Sequence, residues 1–84
     1  MPIKFSDQAL EDYLFWQAKD KGMLKRINSL LRDIQRSPCE GIGKPESLKH
    51  NLAGFWSRRI DEEHRLVYTV QDETVLVAQC RHHY

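Results

Sequence analysis

Apolar residues recur at helical spacing in the first third of the chain and at strand spacing in the last third, with a long unpatterned stretch between them. Ile3–Phe5 reads as a short opening strand. Ser6 then caps a helix over SDQALEDYLFWQAK, with Asp7 in the first turn, where the helix dipole favours a carboxylate. Ala9, Leu10, Tyr13, Leu14 and Gln17 trace its inner face, and Trp16 widens it. Asp20 caps a second helix in which Met23, Leu24, Ile27, Leu30, Leu31 and Ile34 form a clean stripe, flanked by Lys25, Arg26, Arg32 and Asp33. Gly22 loosens its first turn. The two segments predict a pair of antiparallel helices.

Periodicity then stops. Arg36 to Gly54 carries three glycines and two prolines. Leu48 and Leu52, four apart, predict one helical turn pinned to the core, and the rest is read as loop presented outward. From Phe55 a strand meander follows. FWSRRI and HRLVYTV are separated by DEE, and QDE leads into TVLVAQCR, a nearly continuous apolar run expected to be central in its sheet. In HRLVYTV, Arg65, Val67 and Thr69 alternate against Leu66, Tyr68 and Val70. The pattern predicts one α+β domain over residues 1–84, with two N-terminal helices packed on a mostly antiparallel four-stranded sheet.

Composition narrows little. Thirteen basic and twelve acidic residues give a net charge of +1, spread evenly along the chain. That balance neither announces nor excludes nucleic acid. Cys39 and Cys80 are the only cysteines and are expected as reduced thiols. No apolar run has signal or membrane-spanning length, which predicts a soluble, cytoplasmic protein without membrane attachment.

Candidate chemistry lies in the loop, the strands and the tail. Arg58 and Arg59 are adjacent and must face opposite ways in a strand. Arg59, Arg65 and Arg81 either solvate an open sheet face or converge on one surface. Lys44, Glu46, Lys49 and His50 cluster within GKPESLKHN, and Pro45 restrains the backbone before Glu46. The chain ends RHHY, bringing His82, His83 and Tyr84 directly after the last strand. A carboxylate, an imidazole and guanidinium groups are what RNA cleavage by its own 2′-hydroxyl requires. The carboxylate removes the hydroxyl proton, an imidazolium protonates the departing 5′-oxygen, and arginines neutralise the phosphoryl oxygens. Tyr84 or Phe55 can stack on a base, and no metal or other cofactor is needed. A zinc site from Cys80, His82, His83 and His64 is disfavoured, because strand alternation divides these ligands and no CxxC or HExxH occurs. A DNA-binding helix around Lys25, Arg26 and Arg32 is interrupted by Asp33.

The run GKPESLKHNLAGFWSRRIDEEHRLVY and the terminal CRHHY resemble the YoeB-like toxins of bacterial toxin–antitoxin modules, within the RelE superfamily. The resemblance extends from the first strand to Tyr84. It implies a RelE-like ribonuclease fold and a ribosome-dependent endoribonuclease that cuts messenger RNA in the decoding site. By the same resemblance Glu46 is the general base, His83 the general acid, and Arg65 the arginine that stabilises the transition state. Arg59 and Lys49 hold the scissile phosphate, and Tyr84 organises substrate. Implied partners are a YefM-like antitoxin, the ribosome with its mRNA and rRNA, a second copy of the chain, and DNA only through the antitoxin complex. Cys39 and Ile42 depart from the family's usual aromatic and basic residues. A catalytically inactive module binding ribosome or antitoxin is the alternative.

Overall fold

A computed structural model describes residues 1–84. The opening strand β1 (Ile3–Phe5) leads into helices α1 (Asp7–Lys19) and α2 (Lys21–Arg36), then strands β2 (Glu46–Ser47), β3 (Trp56–Arg59), β4 (Arg65–Gln71) and β5 (Thr74–Gln79). Both helix starts are set by the side chains that the sequence nominates. Ser6 Oγ accepts the Ala9 N–H, and Asp20 Oδ1 accepts that of Met23. Tyr13 Oη donates to Asn28 Oδ1 at 2.7 Å, tying α1 to α2.

The sheet has five strands in the order β1-β5-β4-β3-β2, not four. The extra strand is the two-residue β2, too short for periodicity to reveal, hydrogen-bonded to β3 inside the expected loop. β1 pairs parallel with β5, and the remaining pairings are antiparallel. Consequently β4 is the middle strand, while the apolar run of β5 is interior because β1 covers its other edge.

The core lies between the helices and one sheet face. Ile27, Leu30, Leu31 and Ile34 of α2 meet Leu66 and Tyr68 of β4 and Val75 and Val77 of β5. The stripe read on α2 is therefore the buried one. On α1 the inner face is rotated from expectation: Ala9, Asp12 and Trp16 are buried, whereas Leu10 and Leu14 stand about half exposed at 47% and 50%. A polar residue holds the inward position because it has a task. Asp12 Oδ2 accepts the Cys80 N–H at 3.0 Å, securing the end of β5, and Trp16 Nε1 donates to the Cys80 carbonyl at 2.8 Å. Leu48 is buried, and the helical turn expected beside it is a single 3-10 turn at His50–Leu52.

Candidate active site

Strand register builds the site. Glu46 pairs with Ser57, Ser57 with Val67, and Arg59 with Arg65. Residues opposite one another, and every second residue along a strand, share a sheet face. Glu46, Ser57, Arg59 and Arg65 therefore rise together on the face turned away from the helices. A cleft of about 310 Å³ opens there, lined by these four with Lys44, Pro45, His83 and Tyr84.

The tail folds back to complete it. Tyr84 Oη donates to Glu46 Oε1 at 3.2 Å, a contact across 38 residues of chain. The His83 and Tyr84 rings stack at 4.6 Å between centroids and 28° between planes. His83 Nδ1 lies 2.9 Å from the Tyr84 main-chain oxygen. That oxygen only accepts, so Nδ1 carries a proton and Nε2 is the nitrogen left to exchange one. Arg65 is aimed by its own turn, its Nη1 donating to the carbonyls of Asp61 at 2.7 Å and His64 at 3.1 Å. Arg59 stands exposed, with its main-chain N–H bonded to the Gly43 carbonyl at 2.7 Å. This bond sets the approach of the loop to Glu46. Gly43 has φ of +80°, and a Cβ there would meet Leu30 Cδ2 at 2.8 Å and the Arg59 oxygen at 3.2 Å, so only glycine permits the approach.

The structure brings Glu46, Arg59, Arg65, His83 and Tyr84 into one cleft. Lys49 lies beside it, in an adjoining groove that shares Glu46 and Tyr84. Two candidates fall elsewhere. Phe55 lines a separate apolar groove with Phe5, Thr69 and Leu76, because the Gly54–Phe55 corner precedes β3 at the far end of its pairing. Arg81 places its guanidinium carbon 3.4 Å from the Phe15 ring centroid on α1, a cation–π contact that draws it away from Arg59 and Arg65. Arg26, part of the supposed basic helix face, donates to the Ile60 and Arg59 carbonyls and so serves to fasten α2 to the end of β3. Cys80 is fully buried, and burial first, then the Asp12 charge, pushes its thiol up to about 12.

Arg58 is the residue whose importance the sequence concealed. Its guanidinium is completely buried and donates to Asp33 Oδ2, Tyr68 Oη at 3.2 Å, and the carbonyls of Ser37 at 2.6 Å, Glu40 at 3.0 Å and Ile42 at 3.1 Å. These bonds freeze the segment between α2 and β2 that carries Lys44 and Glu46 into place. Cys39 and Ile42, the two departures in this segment, are exposed and outside the cleft. The clue was the parity of RR in a strand, since one of the two had to turn inward.

Comparison with known proteins agrees with this architecture. Residues 5–84 match the family of the YoeB-like toxin of bacterial type II toxin-antitoxin systems. The Toxin YoeB of Escherichia coli K12 is 58% identical over 84 residues, covering all of both chains. A YoeB–YefM complex from Staphylococcus aureus contains a chain 55% identical, with a TM-score of 0.93 over 100% of this chain and 98% of that one. A YoeB dimer from the same organism is 56% identical with the same TM-score and coverage. With matching sequence along its full length and the same fold, the chain belongs to the YoeB-like toxins of bacterial type II toxin–antitoxin systems.

Proposed function

We propose that this toxin is a metal-independent endoribonuclease that cuts messenger RNA in the ribosomal decoding site and so stops translation. The observation that carries this reading is the Tyr84–Glu46 hydrogen bond, which closes the tail over the Arg59–Arg65 pair and delivers His83 to the same cleft as the carboxylate. Glu46 takes the proton from a 2′-hydroxyl, whose oxygen attacks the adjacent phosphorus. Arg65 and Arg59 stabilise the charge gathering on the phosphoryl oxygens, with Lys49 holding the neighbouring phosphate. His83, protonated, gives a proton from Nε2 to the departing 5′-oxygen. The products are a 2′,3′-cyclic phosphate and a 5′-hydroxyl. Tyr84 orients Glu46 and presents its ring for stacking.

A net charge of +1 is poor for capturing RNA unaided, since phosphate neutralisation normally drives such binding. The ribosome supplies the message, and the protein needs positive charge only around one phosphate. The partners that fit are a YefM-like antitoxin covering the cleft, a second copy of the chain, and the ribosome with its mRNA and rRNA. DNA is engaged through the antitoxin complex. The cytoplasm, where ribosomes and reduced thiols coexist, is the proposed location. No helix is long and apolar enough to cross a membrane.

The test compares ribosomes programmed with a defined message against the same message free in solution, with ends mapped by primer extension. Cleavage confined to the decoding site, and lost in Glu46→Ala, Arg65→Ala and His83→Ala, is expected. Binding to ribosomes without cleavage would overturn the enzyme reading in favour of an inactive binding module. Equal cutting of free RNA would remove the ribosome from the mechanism.

A further inference from the structure

The tail reaches the cleft through His82, which sits in the left-handed region at φ of +66°. A residue with a Cβ stays there only when its surroundings hold it. Two main-chain groups of His82 are held. Its carbonyl accepts the Arg65 N–H at 3.0 Å, and its N–H donates to His64 Nδ1 at 2.7 Å. Gln79 Nε2 adds a longer bond to the same carbonyl at 3.4 Å. His64 is itself well placed. Its ring packs edge-on against Trp16 at 4.8 Å, its main-chain N–H donates to Asp61 Oδ1 at 2.7 Å, and its side chain is only 12% exposed.

We infer that His64 is the positioning residue of the catalytic tail, and that it makes the docking of His83 and Tyr84 over the cleft dependent on pH. The catalytic part of this inference rests on the ribonuclease reading above. An Nδ1 that accepts a hydrogen bond has a free lone pair, so the ring is neutral with its proton on Nε2. Adding a second proton converts Nδ1 into a donor, and an imidazolium has no acceptor left. The His82 N–H then faces another N–H, and a left-handed residue loses one of its supports.

The groups facing His64 are few. Asp61 and Glu63 approach from the turn, with Glu63 Oε1 3.7 Å from Nε2. Arg65 reaches the His64 carbonyl at 3.1 Å from β4, the His82 ring lies 5.7 Å away in the tail, and α1 presents the uncharged Trp16. Glu63, His64 and His82 bring possible ligand atoms within 4.8 Å of one another. The His82 bond nevertheless consumes the Nδ1 lone pair and leaves Nε2 as N–H, an arrangement suited to moving protons and unsuited to a metal. The two histidines of the mechanism then have opposite needs. His83 must be protonated to act as acid, whereas His64 must be neutral to hold it.

Two variants separate the roles. His64→Asn places Oδ1 where Nδ1 stood and accepts at every pH. His64→Phe keeps a ring against Trp16 and removes the acceptor. Hydrogen-exchange protection of the His82 amide is measured on the free protein between pH 8 and 5.5, the range in which imidazoles gain protons. Wild-type protection should fall about tenfold as pH is lowered, stay constant in His64→Asn, and be low throughout in His64→Phe. On programmed ribosomes at pH 7.5, His64→Phe should lower kcat about tenfold with KM changed less than about twofold, and His64→Asn should match wild type. Near pH 5.5 His64→Asn should cut faster than wild type. Equal protection in wild type and His64→Phe at pH 8, or a wild-type-like fall in His64→Asn, would overturn the inference. If wild-type protein cuts no message, the ribonuclease reading fails, while the exchange series still decides whether His64 holds the tail.

Discussion

Arg58 and Arg59 are neighbours in β3 with the same side chain and opposite fates. Arg58 is wholly buried, spending its guanidinium on Asp33, Tyr68 and three loop carbonyls. Arg59 is exposed in the cleft, beside Arg65 on the paired strand. Strand parity alone divides them, one to each face of the sheet. The difference shows that a run of basic residues in a small ribonuclease-like fold is not a patch. One arginine arranges the loop that presents Glu46, the proposed general base, and the other stands exposed in the cleft.

The sharpest way to break this comparison is to remove each arginine in turn. Arg58→Ala removes a fully buried side chain and leaves the Ser37, Glu40 and Ile42 carbonyls without their donor, at a cost of at least about 3 kcal/mol. In a domain of this size that lowers Tm by at least about 12 °C. Arg59→Ala should change stability by less than about 0.5 kcal/mol and reduce message cleavage about 10²–10³-fold. Thermal melts and single-turnover cleavage on the same preparations decide it. A similar loss of Tm in both variants would mean that the exposed arginine is also structural.

The cysteines repeat the contrast between a buried and an exposed copy of one side chain. Cys39 is exposed, whereas Cys80 is buried with its thiol pushed up to about 12 from an ordinary value near 9. Above pH 9 the unfolded chain therefore loses a proton that the folded chain keeps. Stability fully present below pH 9 is lost as pH rises toward 12. By pH 10.5 this amounts to about 2 kcal/mol, read as a drop in the urea midpoint. Tyr68 adds to the slope in the same direction, since burial raises its hydroxyl too. Cys80→Ala should flatten the slope. At pH 8 iodoacetamide should label Cys39 and leave Cys80 untouched until the protein unfolds.

A smaller effect tests the buried arginine through its partner. Tyr68 Oη accepts from Arg58 Nε and donates to the Pro38 carbonyl. Tyr68→Phe removes both bonds without opening a cavity, at a cost of about 1–2 kcal/mol. Cleavage should change little if Asp33 and the carbonyls suffice to hold Arg58. A large loss of cleavage with this small loss of stability would show that loop placement, and not only the arginine in the cleft, limits the reaction.

Much of this was legible in the sequence for definite reasons. The α2 stripe, the Ser6 and Asp20 caps and the β3–β5 meander follow local rules of period and capping, and they stand where those rules place them. The inner face of α1 did not, because hydropathy ranks Leu10 and Leu14 above Asp12 and cannot see the Cys80 N–H that Asp12 accepts. Glu46, His83 and Tyr84 could be nominated from residue type and resemblance. Their meeting depends on a two-residue strand and on His82's left-handed turn, neither of which leaves a periodic trace. Arg81 joins the other arginines by its charge and its place at the end of a neighbouring strand, yet an aromatic ring from a distant helix draws it away. Contacts across tens of residues decide such placements.

The finest test of the Arg58 side concerns acid. The Arg58 hydrogen bond first, then the Ile42 N–H, hold the Asp33 carboxyl below its ordinary 3.8, against a smaller opposing effect of desolvation. A carboxyl with a lowered folded value contributes stability that is complete above pH 3.8 and is lost as pH falls through that lowered value. Asp33→Asn deletes the contribution at every pH. The gap in urea midpoint between wild type and Asp33→Asn should therefore be constant from pH 7 to about 4.5 and close only in stronger acid. Arg59 has no such carboxylate partner, so Arg59→Ala should show the wild-type acid profile. A gap that stayed unchanged through and below pH 3.8 would mean that Asp33 ionises as an ordinary surface carboxylate. Arg58 would then hold the loop through its carbonyls and Tyr68 alone.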